Sequence, residues 1–336
     1  MRLINTDTLE LSEFFEPQVP AYAILSHTWE KDELSLQEWT EPSTATTSKA
    51  GYKKICMAVS LSRRSGFAWL WVDTVCIDKT SSAELSEAIN SMFNCNEARI
   101  CYAFLADVSK DSLAEAADNA PESDGSGGLN LSQFRRSRWF TRGWTLQELI
   151  APRNLVFYSR EWSFLGTKAS FASEISSITG MEKRYFIVTI LDASVATRMS
   201  WLAKRQTTRI EDMAYCMLGI FDINMPLLYG EGHKAFLRLQ EEIIRVNDDQ
   251  SIFAWNIVAD KIPQSLFSDN RTIGFLATTP CAFECAKPAV PFRLTAVPSP
   301  YAMTNAGLSI TLPLVPTVNG YIVILNASRP GDHARL

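Results

Sequence analysis

The sequence has no long apolar run, no paired cysteines and no surplus of positive charge, and each absence removes a class of function. No stretch approaches the roughly 18 apolar residues of a membrane-spanning helix, and residues 1–7 lack the apolar core of a secretion signal. The chain therefore reads as cytoplasmic, without a membrane span. A formal net charge of −5 argues against nucleic acid as a partner, because neutralising phosphates calls for a basic face. The seven cysteines lie mostly in apolar segments with no Cys-x-x-Cys spacing, so they read as buried free thiols. With three histidines in the chain and none near Cys281 and Cys285, neither a metal site nor a resident cofactor is expected.

What is present is an alternation of short apolar runs with helical patterns. Residues 21–26, 68–75, 99–105 and 154–158 are rich in β-branched and aromatic side chains and read as strands of one buried parallel sheet. Between the second and third, Ser81 and Glu84 form a capping-box pattern ahead of Leu85, Ala88, Ile89, Met92 and Phe93, one apolar helical face. Residues 109–134, rich in Ala, Asp, Ser and Gly, are expected to be a flexible insertion. The alternation predicts an α/β fold, a parallel sheet flanked by helices. Residues 1–160 would form this core and 161–250 a helical extension, in which Thr208 and Glu211 form a second capping-box pattern. Residues 251–336, broken by Pro and Gly, would be a β-rich C-terminal region.

Ligands of open parallel sheets bind beyond the carboxyl ends of the strands. Four polar clusters fall there: Ser26, His27 and Trp29 after the first strand, Asp73 and Asp78 at the second, Asp107 at the third, and a short helix before the fourth. In that helix Trp144 and Glu148 stand four residues apart and share a face. A carboxylate near a helix start tends to stay ionised, which suits stabilising a developing cation; the same spacing, Thr145 to Glu148, also reads as a capping box. Arg135, Arg136, Arg138 and Arg142 interleave with Trp139, Phe140 and Trp144, either as a clamp for phosphates and a stacked base or as arginines covering apolar surface. A hydrolase pairing Cys76 with His27 is a third option, though nothing local marks Cys76 as a nucleophile.

Three blocks resemble the HET (heterokaryon-incompatibility) domain of filamentous fungi along roughly residues 1–255. The first is Tyr22 to Trp29 with Gly51 to Ile55, the second Trp71 to Lys79 with Glu84 to Phe93, and the third Arg142 to Leu149. The stretch Arg209 to Gln240 looks like an extension found in one HET subgroup. The resemblance implies a cell-death effector released when genetically different hyphae fuse, triggered by a sensor domain or partner and acting as a homo-oligomer. HET domains in turn resemble TIR domains, which share a flavodoxin-like sheet and in several branches cleave NAD. By that likeness Glu148 takes the catalytic role, with NAD+ or a related nucleotide as substrate rather than cofactor. Ser26, His27, Trp29, Asp73 and Asp78 would line the pocket, Trp144 would wall it and Arg142 would meet a phosphate. One departure stands out, since TIR domains carry a serine where this chain has Arg142. The alternative implied by the same likeness is a non-enzymatic module that signals cell death by assembly, as adaptor TIR domains do.

Overall fold

The run expected as a strand at residues 21–26 is apolar up to Leu25, and in a parallel sheet covered on both faces that pattern is a central strand. The computed structural model bears this out, with all six residues of the strand, Tyr22–His27, buried. It describes all residues except 16, 94–97, 111–130, 256–273, 287–289, 292–300, 318–319, 324 and 329–336. Most of the insertion expected at 109–134 thus lies outside the described residues.

Two units divide the chain, Met1–Val188 and Thr189–Leu336. The first contains β1 (Arg2–Asn5), β2 (Leu11–Glu13), β3 (Tyr22–His27), α1 (Leu36–Thr40), α2 (Thr44–Ser48), α3 (Ala50–Arg64), β4 (Trp69–Val72), α4 (Asp73–Cys76), α5 (Ser82–Ser91), β5 (Ala98–Phe104), α6 (Ser132–Arg136), α7 (Thr145–Ile150), β6 (Leu155–Tyr158), β7 (Phe164–Thr167), α8 (Ala172–Thr179) and α9 (Lys183–Ile187). Its seven strands form one sheet in the order β2-β1-β4-β3-β5-β6-β7. The four strands expected from sequence, β3 to β6, are the parallel ones. Taken by themselves they run second, first, third, fourth, the flavodoxin-like order, whose crossing point falls between β3 and β5.

Three further strands, all antiparallel, complete the sheet: β1 beside β4, β2 beside β1, and β7 beside β6. They are three or four residues long, too short for an alternation to show in sequence. The second expected strand ends early. Its last residues turn into α4, where the Val72 N–H donates to Cys76 Sγ at 3.3 Å.

Of the three capping-box patterns, the first is half realised: Ser81 accepts from the Glu84 N–H. The Glu84 carboxylate is drawn away by Arg2, at 2.5 and 2.7 Å, and by the Asp78 N–H at 2.8 Å. The second falls in the other unit, where the helix starts at Asp212 with Glu211 as its N-cap. There Glu211 accepts from the N–H groups of Gly230 (2.8 Å) and Gly232 (3.0 Å). Both glycines have left-handed backbones, φ 102° and 62°, which lets the loop curl around the carboxylate. A helix over Lys234–Val246 follows, burying Phe236, Leu239 and Ile243. Beyond it the described residues form three two-stranded antiparallel sheets, the C-terminal strands expected from sequence. No helix among the described residues is long and apolar enough to cross a membrane.

Gly51, near the start of α3, is held by contact rather than by conformation. Its N–H donates to Asp32 O at 3.2 Å, and a methyl group there would sit 3.1 Å from Glu33 Cα and closer still to Asp32 O. The loop carrying Glu33 lies directly on α3 because nothing projects from residue 51. Gly51→Ala should therefore destabilise the protein by about 1–2 kcal/mol, the clash outweighing alanine's helix preference of up to about 1 kcal/mol. The midpoint of urea unfolding measures it, and a rise in that midpoint would contradict the close approach.

Candidate active site

Successive side chains of a strand point to opposite faces, so β3 delivers Ser26 to one side of the sheet and His27 to the other. The residues singled out from sequence divide accordingly.

On the Ser26 face the chain builds a corner. Asp107, just past β5, accepts from Ser137 Oγ (2.7 Å) and the Arg138 N–H (2.7 Å). These bonds fix a 3-10 turn, Arg138–Thr141. The turn places Trp139, 1% exposed, edge-on against Phe140 and Phe157, with ring centroids 5.1 and 5.6 Å away. Phe134 and Phe171 extend the cluster. Thr145 is the first residue of α7 rather than its N-cap, and Trp144 at the cap makes no side-chain capping bond. The Thr145 hydroxyl donates back to the carbonyls of Trp139 and Arg142, tying turn to helix. At the other end of α7 the buried Lys168 ammonium donates to Leu149 O (3.1 Å) and Pro152 O. Burial pulls that ammonium down to about 8.

The corner brings three side chains together. Trp139 Nε1 donates to Ser26 Oγ at 2.7 Å, and Ser26 Oγ donates to Glu148 Oε2 at 2.5 Å. Ser26 is fully buried and Glu148 half-buried. Sequence reasoning named Ser26 and Glu148 but read Trp139 only as part of a basic aromatic strip. That strip does not act as one surface: Arg135 pairs with Glu174 at 2.7 Å, and Arg138 with Glu30 at 3.3 Å. Arg142 and Trp144 are half-buried beside the start of α7.

On the opposite face, His27 is enclosed by two carboxylates. Its Nε2 lies 3.4 Å from Glu33 Oε2 and its Nδ1 4.0 Å from Asp73 Oδ1, neither nitrogen making a hydrogen bond. Glu33 also pairs with the buried Lys54 ammonium. Burial works to raise the Glu33 carboxyl, but His27 and Lys54 overcome it and hold it at about 2. Asp73 Oδ2 accepts from Trp29 Nε1 at 2.8 Å. The Lys79 ammonium lies 3.6 Å over the exposed Trp29 ring; burial lowers its pKa, against the pull of Asp73 and Glu33. Glu33 and Lys54 escaped the sequence reading because charged residues in loops and on helices carry no periodic signal.

Asp78 joins neither group. Its carboxylate closes its own turn, accepting from the Thr80 N–H and hydroxyl and from Gln37. Cavities flank both faces. One of about 610 Å³ lies by the end of β5 on the His27 side, with Glu33, Lys54, Phe104 and Trp162 in its wall. Another of about 730 Å³ is floored by Tyr22 and Ile24, on the Ser26 side, with Trp71 and Met92. Glu148 lines neither.

Two outcomes follow. Glu33 is depressed in the folded state from 4.5 to about 2, so its contribution to stability is complete above about pH 4.5 and lost as pH falls toward 2. Denaturation midpoints between pH 6 and 2.5 should fall more steeply for the native protein than for Glu33→Gln; equal slopes would refute the assignment. Cys76 is buried, and burial pushes its thiol up to about 12, far from a thiolate nucleophile. In the folded protein it should resist alkylation at pH 8 while the exposed Cys285 reacts, as peptide mapping would report.

Comparison with known proteins places the corner within a recognised segment. Residues 22–148 match the family model of the heterokaryon incompatibility protein (HET), and residues 234–313 match a family described as a domain of unknown function. The vegetative incompatibility protein HET-E-1 of Podospora anserina is 45% identical over 229 residues, 67% of this chain but 16% of that protein. The chain thus spans about a sixth of the length of the curated relative it matches. No solved structure matches. The HET match opens at Tyr22, the first residue of β3, and closes at Glu148, so it takes in Ser26, Trp139 and the carboxylate they reach: the chain is a fungal heterokaryon-incompatibility (HET) domain protein.

Proposed function

We propose that this chain is a cell-death effector of heterokaryon incompatibility and that it acts by cleaving the nicotinamide–ribosyl bond of NAD+. The observation that carries the reading is the 2.5 Å bond from Ser26 to Glu148, which sets a carboxylate at the rim of the sheet beside the β3/β5 crossing point, where open α/β sheets bind ligands. In the reaction the C–N bond breaks and its electron pair leaves with neutral nicotinamide, so no general acid is needed. The ribosyl carbon becomes oxocarbenium-like, Glu148 stabilises that positive charge, and water adds to the carbon and releases a proton. The Trp144 to Glu148 spacing, which resembles that of TIR domains, and the flavodoxin-like strand order both support this reading. Activation by a sensor partner and by self-assembly belongs to the same proposal.

A second reading has one observation in its favour: the 610 and 730 Å³ cavities described above are both walled by residues other than Glu148. On that reading the domain kills by assembly alone. The two separate in one experiment, in which purified protein is incubated with NAD+ and free nicotinamide is measured. Native protein should release nicotinamide, and Glu148→Gln, folded by circular dichroism, should release it at least about a hundredfold more slowly and no longer kill. Cell death retained by the folded variant with NAD+ levels steady would overturn cleavage and establish assembly.

A further inference from the structure

The two hydrogen bonds at Ser26 have a fixed direction. An indole N–H donates and cannot accept, so Trp139 occupies a lone pair of Ser26 Oγ at 2.7 Å. The serine has one proton to give, and Glu148 Oε2 at 2.5 Å is the acceptor it reaches among the described residues. Ser26 is 0% exposed, so no bulk water offers a substitute. A proton arriving on Oε2 would turn that oxygen into a donor facing Ser26, and the serine's own proton would be left without an acceptor in a buried place. Protonation at Oε2 breaks this buried bond and protonation at Oε1 weakens it, because a carboxylate accepts more strongly than a neutral acid, so the bond favours the ionised form.

Trp139 cannot easily release its end. The Asp107 carboxylate grips the turn that carries it, and the ring is wedged edge-on between Phe140 and Phe157. A phenylalanine would fill much of the same space, but it would leave the Ser26 hydroxyl free to rotate. We infer that Trp139 is a positioning residue which, acting through Ser26, holds Glu148 as an ionised carboxylate. The catalytic consequence of that charge rests on the reading of Glu148 given above; the titration of Glu148 does not.

The test is carbon-13 NMR of protein labelled at its glutamate carboxyls, with the Glu148 resonance identified by its loss in Glu148→Gln. Ser26→Ala should raise the titration midpoint of Glu148 by about one pH unit. Trp139→Phe should raise it by less, and the double variant should match Ser26→Ala alone, because among the described residues the indole N–H is linked to the carboxylate through the Ser26 hydroxyl. A residue that merely supports packing would not give this non-additive pattern. An unmoved midpoint in folded Ser26→Ala overturns the inference, as does a Trp139→Phe shift that persists in full on the Ser26→Ala background. Should Trp139→Phe fail to fold, Ser26→Ala, which removes one oxygen from the site, decides alone. Midpoints that move as expected in a protein releasing no nicotinamide would sink the cleavage proposal and leave the relay standing.

Discussion

The arrangement on both sides of the sheet depends on the register of β3. Ser26 lies opposite Ala103 and His27 opposite Phe104 of the neighbouring parallel strand, and because side chains alternate, a slip of one residue would exchange the two faces. Ser26 would then meet the helix that carries Lys54, and His27 would be driven into the aromatic corner around Trp139. Six consecutive buried residues make such a slip costly. A backbone constraint therefore fixes which polar side chain meets Glu148 and which meets Glu33.

The two faces are built on different physical principles. On the Ser26 side the bonds that lead to Glu148 each pair a donor with an acceptor, and the carboxylate is anchored through a chain that begins at Asp107, with Lys168 closing the far end of its helix. On the His27 side charges are packed together without complete hydrogen bonding. Both imidazole nitrogens and Glu33 Oε2 are buried and unsatisfied. Buried ion pairs are rarely the cheapest way to stabilise a fold, since well-packed apolar residues do as well or better. A cluster of His27, Glu33, Lys54 and Asp73 at a strand end is thus a poor solution to a packing problem, and its position at the rim of the sheet, where ligands of such folds bind, gives it another context.

Legibility in the sequence followed the strength of each physical signal. The four parallel strands were plain because burial on both faces leaves continuous apolar runs such as Tyr22 to Leu25. The antiparallel edges were not, because β1 reaches β4 across more than sixty residues and no local pattern records that pairing. Capping boxes were visible as spacings, yet Glu84 and Glu211 found stronger partners in Arg2 and in the Gly230–Gly232 loop, competition that depends on tertiary structure. Ser26 and Glu148 were legible as strand-end and helix residues. Their contact, 122 residues apart in sequence, was not, and nor was the Trp139 indole that completes it.

Arg142 illustrates why chemistry is better followed through space than along the chain. The TIR likeness proposed above would call for a serine two residues before Trp144, and this chain has an arginine there. Read position by position, that departure weakens the case for Glu148. In the folded chain a serine hydroxyl does reach the carboxylate, but it arrives from the end of β3 rather than from the turn before α7. A carboxylate responds to the donor it meets and to how firmly that donor is held, whatever segment supplies it. Ser26 is held firmly, since its strand is buried along its whole length and its lone pair is claimed by an indole that cannot reverse the bond.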